Sequence, residues 1–362
     1  MIRKFLGLLI LASAILCFSA APALARTRTY YIEAREVQWN YAPGGVNQIT
    51  GAPARKPFPV DYLGWTYKKA LYFQYADRAF TKRVPKPAYF GMLGPAIRAE
   101  VGDTIVVYFK NETHFPQSIH AHGVFYAKAS EGAPYRDGVS PAKKGGDSVA
   151  PGATFRYVWQ VPVRAGPDRM DVSSVLWMYH AHVDEVAGIS AGLIGPMVIT
   201  RKGMARADGS PKDVDREIFT MFSLDDENQS PYMPENLKRS KAAEQIPPPD
   251  RFNPFGAFYP TNEIPNINGF VFGAGPMPVA RVGQHVRWYL LADASDAFDI
   301  HVVHWHGNDA SSNGMRTDAV QLLPAGMAIA DMVPDNPGIW LFHCHVNFHL
   351  RGGMVARYRV TR

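Results

Sequence analysis

Apolar and polar residues alternate in short runs along most of this chain, which is the period of half-buried strands rather than helices. Residues 28–41 alternate in this way. Segments 70–75 and 96–111 read as paired strands, with 105–109 the most apolar stretch. Further strands are predicted at 117–124, 154–162, 174–183 and 193–200, separated by turn-rich loops over 40–59 and 132–151. No helical periodicity appears in this half. A charged, Gly-containing linker over 201–216 leads into a second series of strands, at 217–224, 264–272, 278–292, 299–306, 319–323, 327–333, 339–345 and 354–360. A polar, Pro-rich excursion over 225–260 interrupts that series, with a short helix expected around 235–244; long loops of this kind are often functional or interfacial. The pattern predicts an all-β protein of two successive sandwiches or Greek-key barrels, over 26–203 and 204–362.

The first 25 residues stand apart. Arg3 and Lys4 precede an apolar run from Phe5 to Phe18, and Ala23-Leu24-Ala25 is a small-residue cleavage site. This reads as a secretory signal, so the protein is expected to be exported, to the periplasm or beyond. The apolar run is too short to span a bilayer, and no other stretch could span one. Cleavage would remove two positive charges from the formal +6, leaving +4. With no Lys/Arg-rich run, a nucleic-acid partner is excluded. Cleavage would also remove Cys17, leaving Cys344 as the one thiol. A lone thiol in an exported protein calls for an explanation, and metal ligation protects it from free-thiol chemistry.

The two halves echo each other. Trp177-Met178-Tyr179-His180-Ala181-His182-Val183 matches Trp340-Leu341-Phe342-His343-Cys344-His345-Val346, and His120-Ala121-His122-Gly123 matches His304-Trp305-His306-Gly307. One domain is repeated, with Ala181 where the second copy has Cys344. Of twelve histidines, ten fall in these motifs or beside them, at 120, 122, 180, 182, 301, 304, 306, 343, 345 and 349. One His-x-His pair would be an ordinary strand face. Four pairs holding most of the protein's imidazole indicate metal. His114 and His285 lie outside the pattern and carry no such meaning.

Strand parity sorts the donors, because i and i+2 share a face and i+1 opposes them. His343 and His345 face one way and Cys344 the other; His304 and His306 face together and His301 opposes them. Cys344 therefore belongs with His301, and the loop after the strand brings His349 and Met354 back toward it. Two His, one Cys and an axial Met form the blue-copper arrangement for electron transfer. The remaining eight imidazoles are too many for one ion and suit a cluster of three. Zinc fits less well, since a closed structural zinc site takes four ligands and has no use for the adjacent set. Because His343 and His345 flank Cys344, the two sites are joined through single peptide units.

These motifs resemble the multicopper oxidase family, and specifically its two-domain members, the small laccases; residues 179–185, 191–196 and 94–103 are worded like ceruloplasmin-type domains. The resemblance implies cupredoxin Greek-key barrels and four coppers per chain. It places type 1 copper on His301, Cys344, His349 and Met354, type 2 on His120 and His304, and the type 3 pair on His122, His180, His182, His306, His343 and His345. The first domain would carry no blue copper, having Ala181 and Val186 at the Cys and His positions. The reaction implied is one-electron oxidation of a small reducing substrate coupled to reduction of O2 to water.

Iron-oxidising ceruloplasmin-like enzymes carry an Asp just before the third His of the blue-copper motif. Phe348 stands there in this chain, which favours a phenolic, laccase-like donor over Fe(II), and no Met-rich segment suggests Cu(I); oxidation of Fe(II), Cu(I) or Mn(II) is the alternative. Oxygen reduction consumes protons. Asp137 matches a family acid and is the first candidate donor, with Glu185, beside the second His pair, as second choice. Each domain supplies half of the eight imidazoles, and the resemblance implies a homotrimer with the cluster between subunits. Copper nitrite reductase needs no His on both sides of the Cys, and an electron carrier or copper store needs no eight further His.

Overall fold

The computed structural model describes residues 25–293 and 299–362. The predicted signal segment falls outside them, apart from Ala25. Four curled sheets make two half-barrel pairs, the cupredoxin-like architecture of multicopper oxidases. In the first unit one sheet runs Thr66–Tyr75, Thr27–Asn40, Thr104–Glu112, Thr154–Gln160 and Phe125–Tyr126. The other runs Ile97–Glu100, Ile194–Thr200, Ser174–His180 and His120–Ala121. The second unit repeats the plan. Arg216–Asp226 lies between Glu263–Ile267 and Val286–Ala292, and Ile194–Thr200 is answered by Val355–Thr361, which pairs with Gly338–Cys344, itself paired with His301–Trp305. The parallel pairings also recur: Thr27–Asn40 with Thr104–Glu112 in one unit, Arg216–Asp226 with Val286–Ala292 in the other.

The expected strand over 96–111 is in fact two strands in different sheets. Val101-Gly102-Asp103 turns between them, and Gly102 takes φ +100, a left-handed conformation that costs Gly nothing. Residues 66–75 pair with Thr27–Asn40 and not with 104–112, so the expected pairing of 70–75 with 96–111 is wrong. The stretch 278–292 likewise splits into Val279–Arg281 and Val286–Ala292. A helix unforeseen in the first half, Glu185–Ala191, starts at Asp184, whose carboxylate accepts from the Ala187 N–H at 3.1 Å, and stops at Gly192 with φ +106. Seven residues are too few to show a period.

The repeat is also one of packing. Gly123 and Gly307 adopt φ of +76 and +75, and a Cβ on either would lie 2.3 Å from the indole of Trp177 or Trp340. The glycine after each His-x-His thus seats the Trp that opens the other half of its motif. Each unit buries its own core, and the two run together: Leu176 and Met178 of the first pack with Phe219, Trp288 and Trp305 of the second. Arg287 donates to Ser173 and Ser174 across the junction at 2.7 and 2.8 Å, and Arg98 pairs with Glu217 at 2.8 Å. The excursion folds into three short helices, Met233–Leu237, Lys241–Glu244 and Pro248–Arg251. It lies against the first unit, where Lys68 donates its N–H to Asn236 and pairs with Glu235.

Candidate metal centre

Register puts Val303 opposite Cys344 and His304 opposite His343. Alternation then sends His301, Val303 and Cys344 to the core face and His304, His306 and His343 to the other. Cys344 Sγ lies 3.8 Å from Nδ1 of His301 and 3.8 Å from Nδ1 of His349. Two donors on one ion, at bond lengths of about 2.0–2.3 Å and a trigonal angle, stand about 3.7 Å apart. The spacing therefore fits a shared metal, and the thiolate–imidazole set is what copper takes. All three residues are buried, as is Met354, whose N–H donates to the His349 carbonyl and whose carbonyl accepts from the Cys344 N–H. The expected loop carrying His349 is a short helix, Asn347–Gly352. Burial holds His301 and His349 down to about 4 and raises the Cys344 thiol. The imidazoles are therefore neutral and able to ligate.

Behind His301 stands a residue that strand patterning did not single out. Asp299 Oδ1 lies 2.6 Å from His301 Nε2, both side chains being fully buried. An acid two places before a His on a strand shares its face, and this was the available signal. The pair opens a buried polar chain. Ser223 Oγ lies within hydrogen-bond reach of Asp293 and Asp225, Tyr41 Oη within reach of Asp225 and Glu227, and Lys69 donates to Glu227 and Tyr41. Burial raises Asp293 well above the usual carboxylate range, helped by Asp299 and Asp225.

The other eight imidazoles form two groups of the same design. In the first unit His122 Nε2 lies 3.0 Å from His180 Nε2, and His120 packs on His122, His180 and His182 with ring centroids 5.1–5.5 Å apart. In the second, His306 Nε2 lies 3.1 Å from His343 Nε2, and His304 packs on His306, His343 and His345 at 4.6–5.2 Å. Carbonyls hold the Nδ1 atoms alike: Glu131 and Ala181 for His120 and His180, Asp318 and Cys344 for His304 and His343. That fixes the tautomers and leaves Nε2 to face the shared space. Burial, with neighbouring imidazoles, lowers His122 and His180 to about 4 and also depresses His120, His306 and His343. Among the described residues no ring contact joins the two groups. His345 is exposed, and His182, His304 and His306 are partly so.

The first unit has no counterpart of the Cys344 site. At the positions of His301, Cys344, His349 and Met354 it has Gln117, Ala181, Val186 and Ala191. The helix Glu185–Ala191 closes over the place, so tightly that a Cβ on Gly188 would meet Ala181 Cβ at 2.7 Å.

The candidate acids differ in setting. Glu185 approaches His182 Nε2 at 3.2 Å and His180 Nε2 at 3.8 Å. Asp137 accepts from the Val139 N–H at 2.9 Å and pairs with Lys144 at 3.1 Å and Lys128 at 3.2 Å. The Val139 amide and the two ammonium groups hold its carboxyl down to about 2.

Sequence profiles described as multicopper oxidase match residues 90–203 and 244–362. The chain is 42% identical to human "Ferroxidase HEPHL1" over 92% of its length, 39% to mouse hephaestin over 94%, and 36% to rat ceruloplasmin over 97%. It spans 29%, 30% and 33% of those proteins. A crystal structure of a multicopper oxidase shares its fold with a TM-score of 0.58 at 20% identity, covering 92% of this chain and 89% of the other. Copper nitrite reductase from Nitrosomonas europaea does so at 0.58 and 16%, covering 93% and 94%. The chain belongs to the multicopper oxidase family. Copper is the metal that this family and these donors share.

Proposed function

We propose that this chain is one subunit of a laccase-like oxidase that takes single electrons from a small phenolic donor and delivers them to O2. The observation that carries the reading is the split at one strand end. Cys344 meets His301 and His349 on the core face, while His343 meets His304 and His306 on the other. Copper bound on the two faces supplies single-electron acceptance on one and four-electron reduction of O2 to water on the other. The residues hold neutral imidazole toward both places and exclude water from the first. Carried over from the family's motifs, the proposed assignment is four coppers per chain: type 1 on His301, Cys344, His349 and Met354, type 2 on His120 and His304, and the type 3 pair on His122, His180, His182, His306, His343 and His345.

The donor class rests on the surface beside His349. Phe348 is 48% exposed beside His349, and with Phe58, Trp65, Pro265, Lys56 and Glu263 it lines a crevice too small to enclose a ring. An exposed aromatic edge there suits surface contact with a ring more than capture of a hydrated cation. The relatives named as ferroxidases favour a second reading, oxidation of Fe(II) or another metal ion. Turnover of 2,6-dimethoxyphenol, Fe(II), Cu(I) and Mn(II) by one preparation separates the two. A kcat/KM for Fe(II) above that for the phenol would sink the phenolic reading.

Each imidazole group is half a set and partly faces solvent. This supports a homotrimer in which the first domain of one subunit meets the second domain of its neighbour. Copper-replete, active monomers in sedimentation would refute it. The sequence pattern of residues 1–25 supports export, and no helix among the described residues is long and apolar enough to cross a membrane.

A further inference from the structure

A cavity of about 550 Å³ opens in the first unit, sharing no lining residue with the imidazole groups. That is within the range of small-molecule sites, about 300–1,000 Å³. Its walls come from the end of Thr66–Tyr75, the Pro-rich segment 83–87 and the strand Ile97–Glu100. Phe73, Phe90 and Pro87 give it an apolar body. Three cations, Arg83, Lys86 and Arg98, reach its lining, and no carboxylate does.

Only Arg98 has an acid partner, Glu217. Arg83 sits over the Phe73 ring, its Cζ 3.6 Å from the centroid, and Lys86 Nζ stands 5.7 Å from the same ring. Lys86 donates to the Leu93 carbonyl at 2.6 Å, and among the described residues neither cation forms an ion pair. Burial, with Arg83 nearby, holds the Lys86 ammonium down to about 7. Two cations converging on one aromatic face without a counter-charge make a positive, partly desolvated pocket. Such a pocket gains most from a ligand that brings the missing charge and covers the ring.

We propose that this cavity binds a small aromatic carboxylate, with Lys86 and Arg83 taking the carboxylate and Phe73 and Phe90 flanking the ring. Neither cation belongs to the oxidase machinery, so the site is independent of the donor assignment.

Calorimetry on the copper-loaded full chain tests this, with benzoate, benzyl alcohol and inorganic phosphate as probes. Benzoate is expected to bind saturably, benzyl alcohol at least about tenfold more weakly for want of one charge-assisted contact, and phosphate at least about tenfold more weakly for want of the ring. Lys86→Met keeps the stem and removes the charge. It should weaken benzoate by about tenfold or more while oxidase turnover and the thermal midpoint hold. Arg83→Gln, at an exposed position, gives a second variant should Lys86→Met fold poorly, and should weaken benzoate likewise. No saturable heat with benzoate would overturn the proposal. So would equal affinity for benzyl alcohol or phosphate, or full affinity in the variants.

Discussion

Asp299 Oδ1 lies 2.6 Å from His301 Nε2, and the opposite nitrogen of the same ring, Nδ1, lies 3.8 Å from Cys344 Sγ. The carboxylate thus selects the tautomer that presents Nδ1 to the metal. Removal of such a partner commonly costs 10–100-fold in metal affinity. Asp299→Asn is expected to weaken copper at this site by about that factor and to shift the blue absorption, with the eight-imidazole cluster filled as before. An unchanged spectrum and titration would mean that packing alone orients the ring.

The face parity around Cys344 predicts a clean separation. Cys344→Ser should abolish the intense blue absorption and turnover yet lose only one copper per chain, because the neighbouring imidazoles point away from the substituted side chain. Metal analysis with absorption spectroscopy reads both. Retained blue colour, or loss of all copper, would refute the division.

Glu185 and Asp137 compete for the proton-donor role, and their surroundings favour Glu185. Its carboxylate touches two imidazoles, while Asp137 is clamped by two lysines and stays ionised above about 2. Glu185→Gln should lower turnover by about 10²-fold, the low end for a general acid, leaving copper content and the rate of blue-site reduction intact. Asp137→Asn should cost far less. The reverse ranking in steady-state and stopped-flow rates would restore Asp137.

Lys69 is a buried cation set against Glu227 at 2.6 Å and Asp225 at 3.9 Å. Removing one partner from a buried pair costs about 3–5 kcal/mol, because the remaining charge is stranded. Lys69→Met should lower stability by about that amount in denaturant unfolding, and adding Glu227→Gln should restore part of it. Additive losses would show that the two do not act as a pair.

Much of this was legible in the chain itself. His301, His304, His306, His343, Cys344 and His345 sort by period-two alternation, because a strand's faces are fixed by the pleat, whereas His349 and Met354 come from the segment beyond the strand. The repeat between 177–183 and 340–346 likewise announced two copies of one barrel. Strand pairing was not legible. The turn at Val101-Gly102-Asp103 sends its two flanks into different sheets, and nothing local distinguishes it from a bend within one strand. The helix Glu185–Ala191 carried its signals in Asp184 and Gly192, but seven residues show no period. Spacing puts Asp299 on the face of His301, but its role depends on which His nitrogen faces the thiol, a matter of ring orientation that spacing does not record.

The two imidazole groups, alike in design and each incomplete, have a genetic consequence. In the proposed homotrimer each eight-imidazole cluster draws on two chains, so damage to different halves should be mutually repairable. A His180→Ala/His182→Ala chain and a His304→Ala/His306→Ala chain should each be inactive alone. Refolded or co-expressed together, they should recover oxygen uptake, since an intact first domain of the second variant can meet an intact second domain of the first. Mixing them without subunit exchange should restore nothing. Oxygen consumption by purified hetero-oligomers, set against each parent, reads the outcome.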